Sequence, residues 1–326
     1  MIDSQDIFSI RSEAEFEAAA LEVYSFQYRN NAVYRSFCDY LRTPGTRIEQ
    51  ITDIPFLPIE FFKSKKIISK DRNPEVQFTS SGTTGNITST HFVADVQLYR
   101  ASYRKGFEHF YGSISDYCIL ALLPSYLERE GSSLIYMVDD LIKKSGHPSS
   151  GFYLDTMDTL AETLVKLDKA ETKILLIGVS FALLDLLDSH QFRLKNTIVM
   201  ETGGMKGRRK EMIREALHAM ISQGFGVPLI HSEYGMTELL SQAYSKGNGI
   251  FKTPPWMKVV VRDTEDPLSA QAFGKTGGVN VIDLANLHSC AFIATQDLGK
   301  GYKDGSFEIL GRFDHSDIRG CNLMVL

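Results

Sequence analysis

Four continuous apolar runs constrain the fold more than any other feature of this sequence. Tyr117 to Leu123, Lys173 to Val179, Thr197 to Met200 and Pro228 to His231 are too short for helices that cross a core and lack the alternation of a half-exposed strand. The first three read as buried strands and the fourth as a short strand. Between them lie helix-period segments: Val96 to His109, Ser132 to Lys144, Leu160 to Leu167, Phe181 to Asp188 and Lys210 to Met220. Alternating buried strands and helices predict an α/β fold with a mostly parallel sheet. In such sheets, ligand sites form where loops leave the carboxyl ends of the strands. The polar, glycine-containing stretches that follow the strands are therefore the candidates for chemistry.

The first third and the last third differ from this middle. Ser12 to Leu41 is predicted as helix, with Ser12 and Glu15 spaced as a capping box, and Pro44-Gly45 ends it. Pro55 and Pro58 predict an extended segment before the short stretch Glu60 to Ser64. After residue 250, Met257–Arg262, Gly278–Leu284, Ala291–Thr295 and Ser306–Leu310 read as short strands separated by turns, with Asp304-Gly305 a hairpin turn. The expected organisation is a helical N-terminal region packed on the core (1–75), an α/β nucleotide-binding core (76–250), and a β-rich subdomain with a short tail (251–326).

Composition excludes several classes. A formal net charge of -5 gives no support for nucleic-acid binding. The basic runs Lys63-Ser64-Lys65-Lys66 and Lys206 to Lys210 are short, and the first reads as solvated surface. No apolar run is long enough to cross a bilayer, and the acidic start Met1 to Asp6 is unlike a signal peptide. Cys38, Cys118, Cys290 and Cys321 lack metal-ligand spacing, so neither a zinc site nor a disulfide framework is expected and a reducing cytoplasm is the default.

The candidate chemistry lies in three places. Val76–Phe78 reads as a strand end delivering Thr79-Ser80-Ser81-Gly82-Thr83-Thr84-Gly85, whose hydroxyls and glycines suit an anion; a flexible surface loop is the alternative. Tyr234-Gly235-Met236-Thr237-Glu238 offers an aromatic ring for a base, a hydroxyl for a phosphate and a carboxylate for Mg²⁺, or else is a plain helix start. Asp297 can accept from a ribose diol, and Arg312 can donate to a hydroxyl or phosphate. Gly274-Lys275-Thr276 is not a P-loop, because Ser269 stands where its first glycine belongs and a turn and strand follow.

These motifs, in this order, resemble the adenylate-forming superfamily of acyl- and aryl-CoA ligases. Gly203-Gly204 is similar to its adenine-flanking loop, and Gly274 to Gly277 to its turn before a β-subdomain strand. A narrower resemblance is to the LuxE-type acyl-protein synthetases, through Ile54 to Lys63 and Asp317 to Leu323. The resemblance implies the superfamily's large domain with most of its C-terminal mobile domain missing, so the usual catalytic lysine has no evident counterpart. Lys206 is either a substitute or a solvated residue, and the second reading is preferred.

The resemblance also implies a function. ATP with Mg²⁺ activates a fatty or other apolar carboxylic acid to acyl-AMP, and Cys321 takes the acyl group for delivery to an acyl-CoA-reductase-type partner. Thr237, Glu238 and Cys321 would be catalytic, with Glu238 holding the metal. Ser80, Ser81, Gly82, Thr83, Thr84, Gly85, Gly203, Gly204, Tyr234, Gly235, Met236, Asp297 and Arg312 would bind ATP. The alternatives are a compact ligase passing acyl-AMP to CoA or a carrier thiol, and a non-catalytic nucleotide or acyl-adenylate sensor.

Overall fold

The computed structural model describes residues 4–41, 47–80, 88–124, 131–203 and 212–313. Its helices are α1 (Ser4–Ile7), α2 (Glu13–Asn30), α3 (Ala32–Leu41), α4 (Phe61–Ser64), α5 (Val96–Tyr111), α6 (Ser133–Ser145), α7 (Met157–Lys169), α8 (Ser180–Ser189) and α9 (Arg214–Phe225). Its strands are β1 (Leu57–Pro58), β2 (Val76–Thr79), β3 (Thr90–Val93), β4 (Cys118–Leu122), β5 (Gly151–Phe152), β6 (Ile174–Val179) and β7 (Thr197–Thr202). They continue with β8 (His231–Tyr234), β9 (Ala243–Ser245), β10 (Phe251–Lys252), β11 (Met257–Arg262), β12 (Thr276–Asp283), β13 (Phe292–Gly301) and β14 (Phe307–Arg312).

The expected α/β architecture is present. One twelve-stranded sheet runs in the order β11-β12-β13-β14-β10-β9-β8-β7-β6-β4-β5, and β1 adds to it beside β13. Strands β5, β4, β6, β7 and β8 are parallel. Every residue of β4 and β6 is buried, as their unbroken apolar runs require. From β8 to β14 and on to β11 the neighbours are antiparallel. A separate hairpin pairs β2 with β3, where Thr79 faces Thr90.

Helix ends follow local chemistry. Ser12 caps α2 by accepting the Glu15 N–H at 3.3 Å, while the Glu15 carboxylate reaches back to the Arg11 N–H at 2.7 Å. Asp95 caps α5, and Ser132 caps α6. Gly146 and Gly226 end α6 and α9 in the left-handed conformation.

The predicted single helix from Ser12 to Leu41 is two helices. Asn31 takes extended dihedrals between them, and its Oδ1 accepts from the Val33 and Tyr34 N–H groups, both at 3.1 Å. Its Nδ2 donates to the Ser289 carbonyl at 2.9 Å. An asparagine that can cap the next helix and grip the opposite end of the chain stops the first one. Strand β8 also lies further along than expected, starting at His231 rather than Pro228, so Glu233 and Tyr234 stand in the ladder instead of in the loop. The last helix of the α/β region runs on to Phe225, beyond the expected Met220.

The N-terminal arm is stitched to the far end of the sequence. β1 pairs in parallel with β13, and the Ile59 N–H donates to the Ala294 carbonyl at 3.0 Å. The fully buried Gln27 amide donates to the Asn286 and Leu287 carbonyls and accepts from the Ala291 N–H. These bonds fix α4 and its Lys63 against the sheet. Among the described residues no helix is long and apolar enough to cross a membrane.

Candidate active site

A cleft of about 430 Å³ opens above the carboxyl ends of β6, β7 and β8, and β13 and β14 form its other wall. Ser80, Gly203, Gly235, Met236, Thr237, Glu238, Asp297 and Arg312 all line it. Residues separated by more than two hundred positions thus meet at one place.

Ser80 stands at the base of the β2–β3 hairpin. Its N–H donates to the Ser89 carbonyl, and its Oγ accepts the Ser89 N–H, both at 3.0 Å. Ser81, Gly82, Thr83, Thr84 and Gly85 lie outside the described residues, as do Gly204, Lys206 and Cys321. Gly203 leaves β7 with φ 67°, a conformation that favours glycine and turns the chain along the cleft edge.

Beneath Gly203 the strand ends are held by a buried carboxylate. Glu201 accepts from Ser180 Oγ at 2.9 Å and from Ser232 Oγ at 3.1 Å, with His218 Nε2 at 3.1 Å. Burial pushes this carboxyl up, but the hydrogen bond and charge of His218, with Ser180 and Arg214, outweigh burial and hold it below the usual range.

The turn from Gly235 to Glu238 is gripped from below. His91 Nδ1 lies 2.8 Å from the Thr237 carbonyl and Nε2 lies 3.0 Å from Asn286 Oδ1, and the ring's N–H bonds one of these two oxygens. Asn286 Nδ2 donates to the Glu238 carbonyl at 2.8 Å. Asp283 accepts the Leu240 and Ser241 N–H groups at 2.7 and 2.9 Å. Burial lowers the His91 pKa to about 4, against the upward pull of Thr237 and Asn286. With its backbone so fixed, the turn presents the Thr237 and Glu238 side chains to the cleft. Burial raises the Glu238 carboxyl, with the Ser89 hydroxyl pulling it down.

On the opposite wall, Asp297 and Arg312 are cross-strand neighbours in the β13–β14 register. Arg312 Nε donates to Asp297 Oδ1 at 3.1 Å, and the Tyr234 phenol donates to Asp297 Oδ2 at 2.8 Å. Tyr234 itself does not line the cleft; its ring packs edge-on against Phe251 and Phe307. The structure thus sets the residue expected to stack on a base behind Asp297, as its hydrogen-bond donor.

Sequence reading overlooked several members. Lys63, taken as solvated surface, lies on the cleft wall close enough to act on the Glu238 carboxyl. Its Phe-Phe-Lys setting gave no sign of this, because β1 pairing is what carries α4 there. His91, Asn286 and Asp283 carry no motif at all. Glu233 and Gln242 line the cleft as well. Glu233 was hidden by the misplaced start of β8.

The family profile described as "Acyl-protein synthetase, LuxE" matches residues 8–326. The long-chain-fatty-acid–luciferin-component ligase of Vibrio harveyi is 23% identical over 331 residues, covering 92% of this chain and 84% of that protein. Among solved structures, ATP-bound MatB from Rhodopseudomonas palustris superposes with a TM-score of 0.55 at 18% identity over 75% of this chain. The match spans 50% of the MatB chain, about half its length. An open conformation of 2-hydroxyisobutyryl-CoA ligase gives a TM-score of 0.63 at 11% identity, covering 94% of this chain and 77% of that one. The fold is that of the adenylate-forming enzymes, and the chain belongs to the LuxE acyl-protein synthetase family of ligases.

Proposed function

We propose that the cleft binds ATP and a fatty or related carboxylic acid, forms acyl-AMP, and passes the acyl group to Cys321. The convergence of Ser80, Gly203, Thr237, Glu238, Asp297 and Arg312 on one cleft carries this reading. The acid carboxylate oxygen bonds to the α-phosphorus of ATP while the bond from that phosphorus to the bridging oxygen breaks and pyrophosphate leaves. Thr237 and Ser80 donate to the phosphate oxygens, and the Lys63 ammonium faces the charge that develops there. Asp297, oriented by Tyr234, accepts from the ribose, and Arg312 holds Asp297 and the nucleotide together. Gly203 leaves room for the adenine, and Gly235 lines the cleft beside it. Ser81 to Gly85 and Gly204 are assigned to the same nucleotide, with Met236 beside it.

The residues fit Mg²⁺. Glu238 is a carboxylate on the cleft wall with the Ser89 hydroxyl beside it. Mg²⁺ takes one or two protein carboxylates and completes its shell with water and phosphate oxygens. When bound, it would offset charge on the leaving pyrophosphate.

In the second half-reaction the Cys321 sulfur bonds to the acyl carbon, the carbon–oxygen bond to the phosphate breaks, and AMP leaves; the thiol proton goes to solvent. The described cysteines support the assignment by their unsuitability. Cys38, Cys118 and Cys290 are buried, and burial pushes the Cys118 and Cys290 thiols up, away from the nucleophilic thiolate. The thioester would then be handed to an acyl-CoA-reductase-type subunit. The name of the Vibrio harveyi relative supports a long-chain fatty acid.

Incubation with ATP, Mg²⁺ and acid should give a hydroxylamine-labile acyl adduct by intact mass. Cys321→Ser should lose the adduct and keep ATP–pyrophosphate exchange. Loss of both would remove Cys321 from the acceptor role, and CoA-dependent product without an adduct would favour a compact ligase. Nucleotide binding with no exchange would favour a sensor.

A further inference from the structure

The cleft holds a second polar patch, Glu233 with Gln242, to which the proposed nucleotide contacts assign no role. Thr202 and Glu233 are register neighbours on β7 and β8, and the Thr202 hydroxyl donates to Glu233 Oε2 at 2.5 Å. Glu233 Oε1 is turned toward Gly235, where a Cβ would stand 2.5 Å from it and 3.3 Å from Gln242 Cγ. Glu233 and Gln242 therefore close over the same glycine. Gln242 is 5% exposed, lines the cleft, and its Oε1 has no hydrogen-bond partner among the described residues. The other buried side-chain atoms without a partner among the described residues belong to residues that do not line the cleft. Leu123, Ile135, Met137 and Val179 line the same cleft and give it an apolar portion.

An amide oxygen buried without a partner costs folding free energy unless a ligand completes the bond. We propose that Glu233 and Gln242 form a recognition subsite for a hydroxyl group on the aliphatic chain of the acid, which makes the substrate a hydroxylated aliphatic carboxylic acid. The inference rests on the acid-activation reading above. A hydroxyl is both donor and acceptor, and the Gln242 amide offers both complements. Burial pushes the Glu233 carboxyl up to about 7 against the Thr202 hydrogen bond, so its neutral, donating form is populated near neutral pH. An ammonium substituent would need that carboxyl ionised.

The test is ATP–pyrophosphate exchange by the full chain with butanoate, octanoate and tetradecanoate. Each acid is supplied plain, with a 2-, 3- or terminal hydroxyl, and with a 3-amino group. At least one hydroxylated acid should exceed its plain parent in kcat/KM by on the order of 10²-fold, since the parent leaves the subsite's polar groups unpaired. Gln242→Leu and Glu233→Leu should each shrink that ratio at least about tenfold, whereas Glu233→Gln should retain most of it. If the variants do not fold, as judged by thermal unfolding, the wild-type panel decides alone. Plain acids that match or beat every hydroxylated form would overturn the subsite and leave acid activation standing. Preference for the amino acids would overturn it in favour of a cation site. Silence with every acid would remove the acid-activation reading and this inference with it.

Discussion

The two halves of the sheet supply the cleft by different means. The parallel half, β4 to β8, delivers Gly203 and Gly235–Glu238 from turns just past its strand ends. The antiparallel half delivers Asp297 and Arg312 from within a ladder, where they face each other across β13 and β14. A turn can be recognised from glycines and hydroxyls after an apolar run. A ladder residue has no such label, because its position depends on which strand it pairs with.

That contrast sets the order of expected effects. Glu238→Gln, in the parallel half, should lower exchange on the order of 10²- to 10³-fold and raise the Mg²⁺ concentration needed for half-maximal rate. An unchanged Mg²⁺ response would take the metal away from Glu238. Asp297→Ala should cost about 10²-fold, and Arg312→Ala about tenfold, because the arginine side chain is 74% exposed. Equal losses for the two would mean that the ladder pair acts as a unit and not through the carboxylate. Lys63→Ala should raise KM for ATP and lower exchange about tenfold, with Lys63→Arg recovering part. No change would return Lys63 to the solvated surface.

Two smaller effects concern stability. The Glu233 carboxyl is raised from 4.5 to about 7 in the folded chain. Between those values the folded state holds a proton that the unfolded state has released, so this group's contribution falls as pH rises from about 4.5 through 7. Glu233→Gln should therefore gain on wild type in urea midpoint across that window, and the difference should flatten above it. A pH-independent difference would place the Glu233 pKa near its ordinary value. Asn31→Ala should cost about 1 kcal/mol or more in urea unfolding, since a cap and a long-range bond go together. A loss confined to a few tenths would mean that α2 and α3 merge without penalty.

The sequence revealed the parallel half well. The apolar runs Tyr117–Leu123 and Lys173–Val179 coincide with β4 and β6 within a residue, because burial on both faces leaves no polar residue to blur them. Residues 243–245 and 251–252 are too short to carry a pattern, so β9 and β10, which join the two halves, were not foreseen. In the site, Asp297 and Arg312 were legible as groups that could bond a ribose or a phosphate, and the resemblance to a known superfamily is what tied them to ATP. Lys63, His91 and Gln242 stayed hidden, since their neighbours in space come from other parts of the chain.

The Gln27 amide bonds to residues 286, 287 and 291, and this has a consequence for synthesis on the ribosome. At ~5–20 residues per second, an N-terminal helix pair waits roughly 13 to 50 s before its partner has been translated. During that interval a buried-to-be amide and the apolar side of α2 have only solvent or a chaperone to satisfy them. Late closure of such distant contacts also slows spontaneous refolding. Nascent chains halted before Asn286 should be the aggregation-prone species, and the cleft, with Lys63 carried on that same arm, should be the last part of the molecule to take shape.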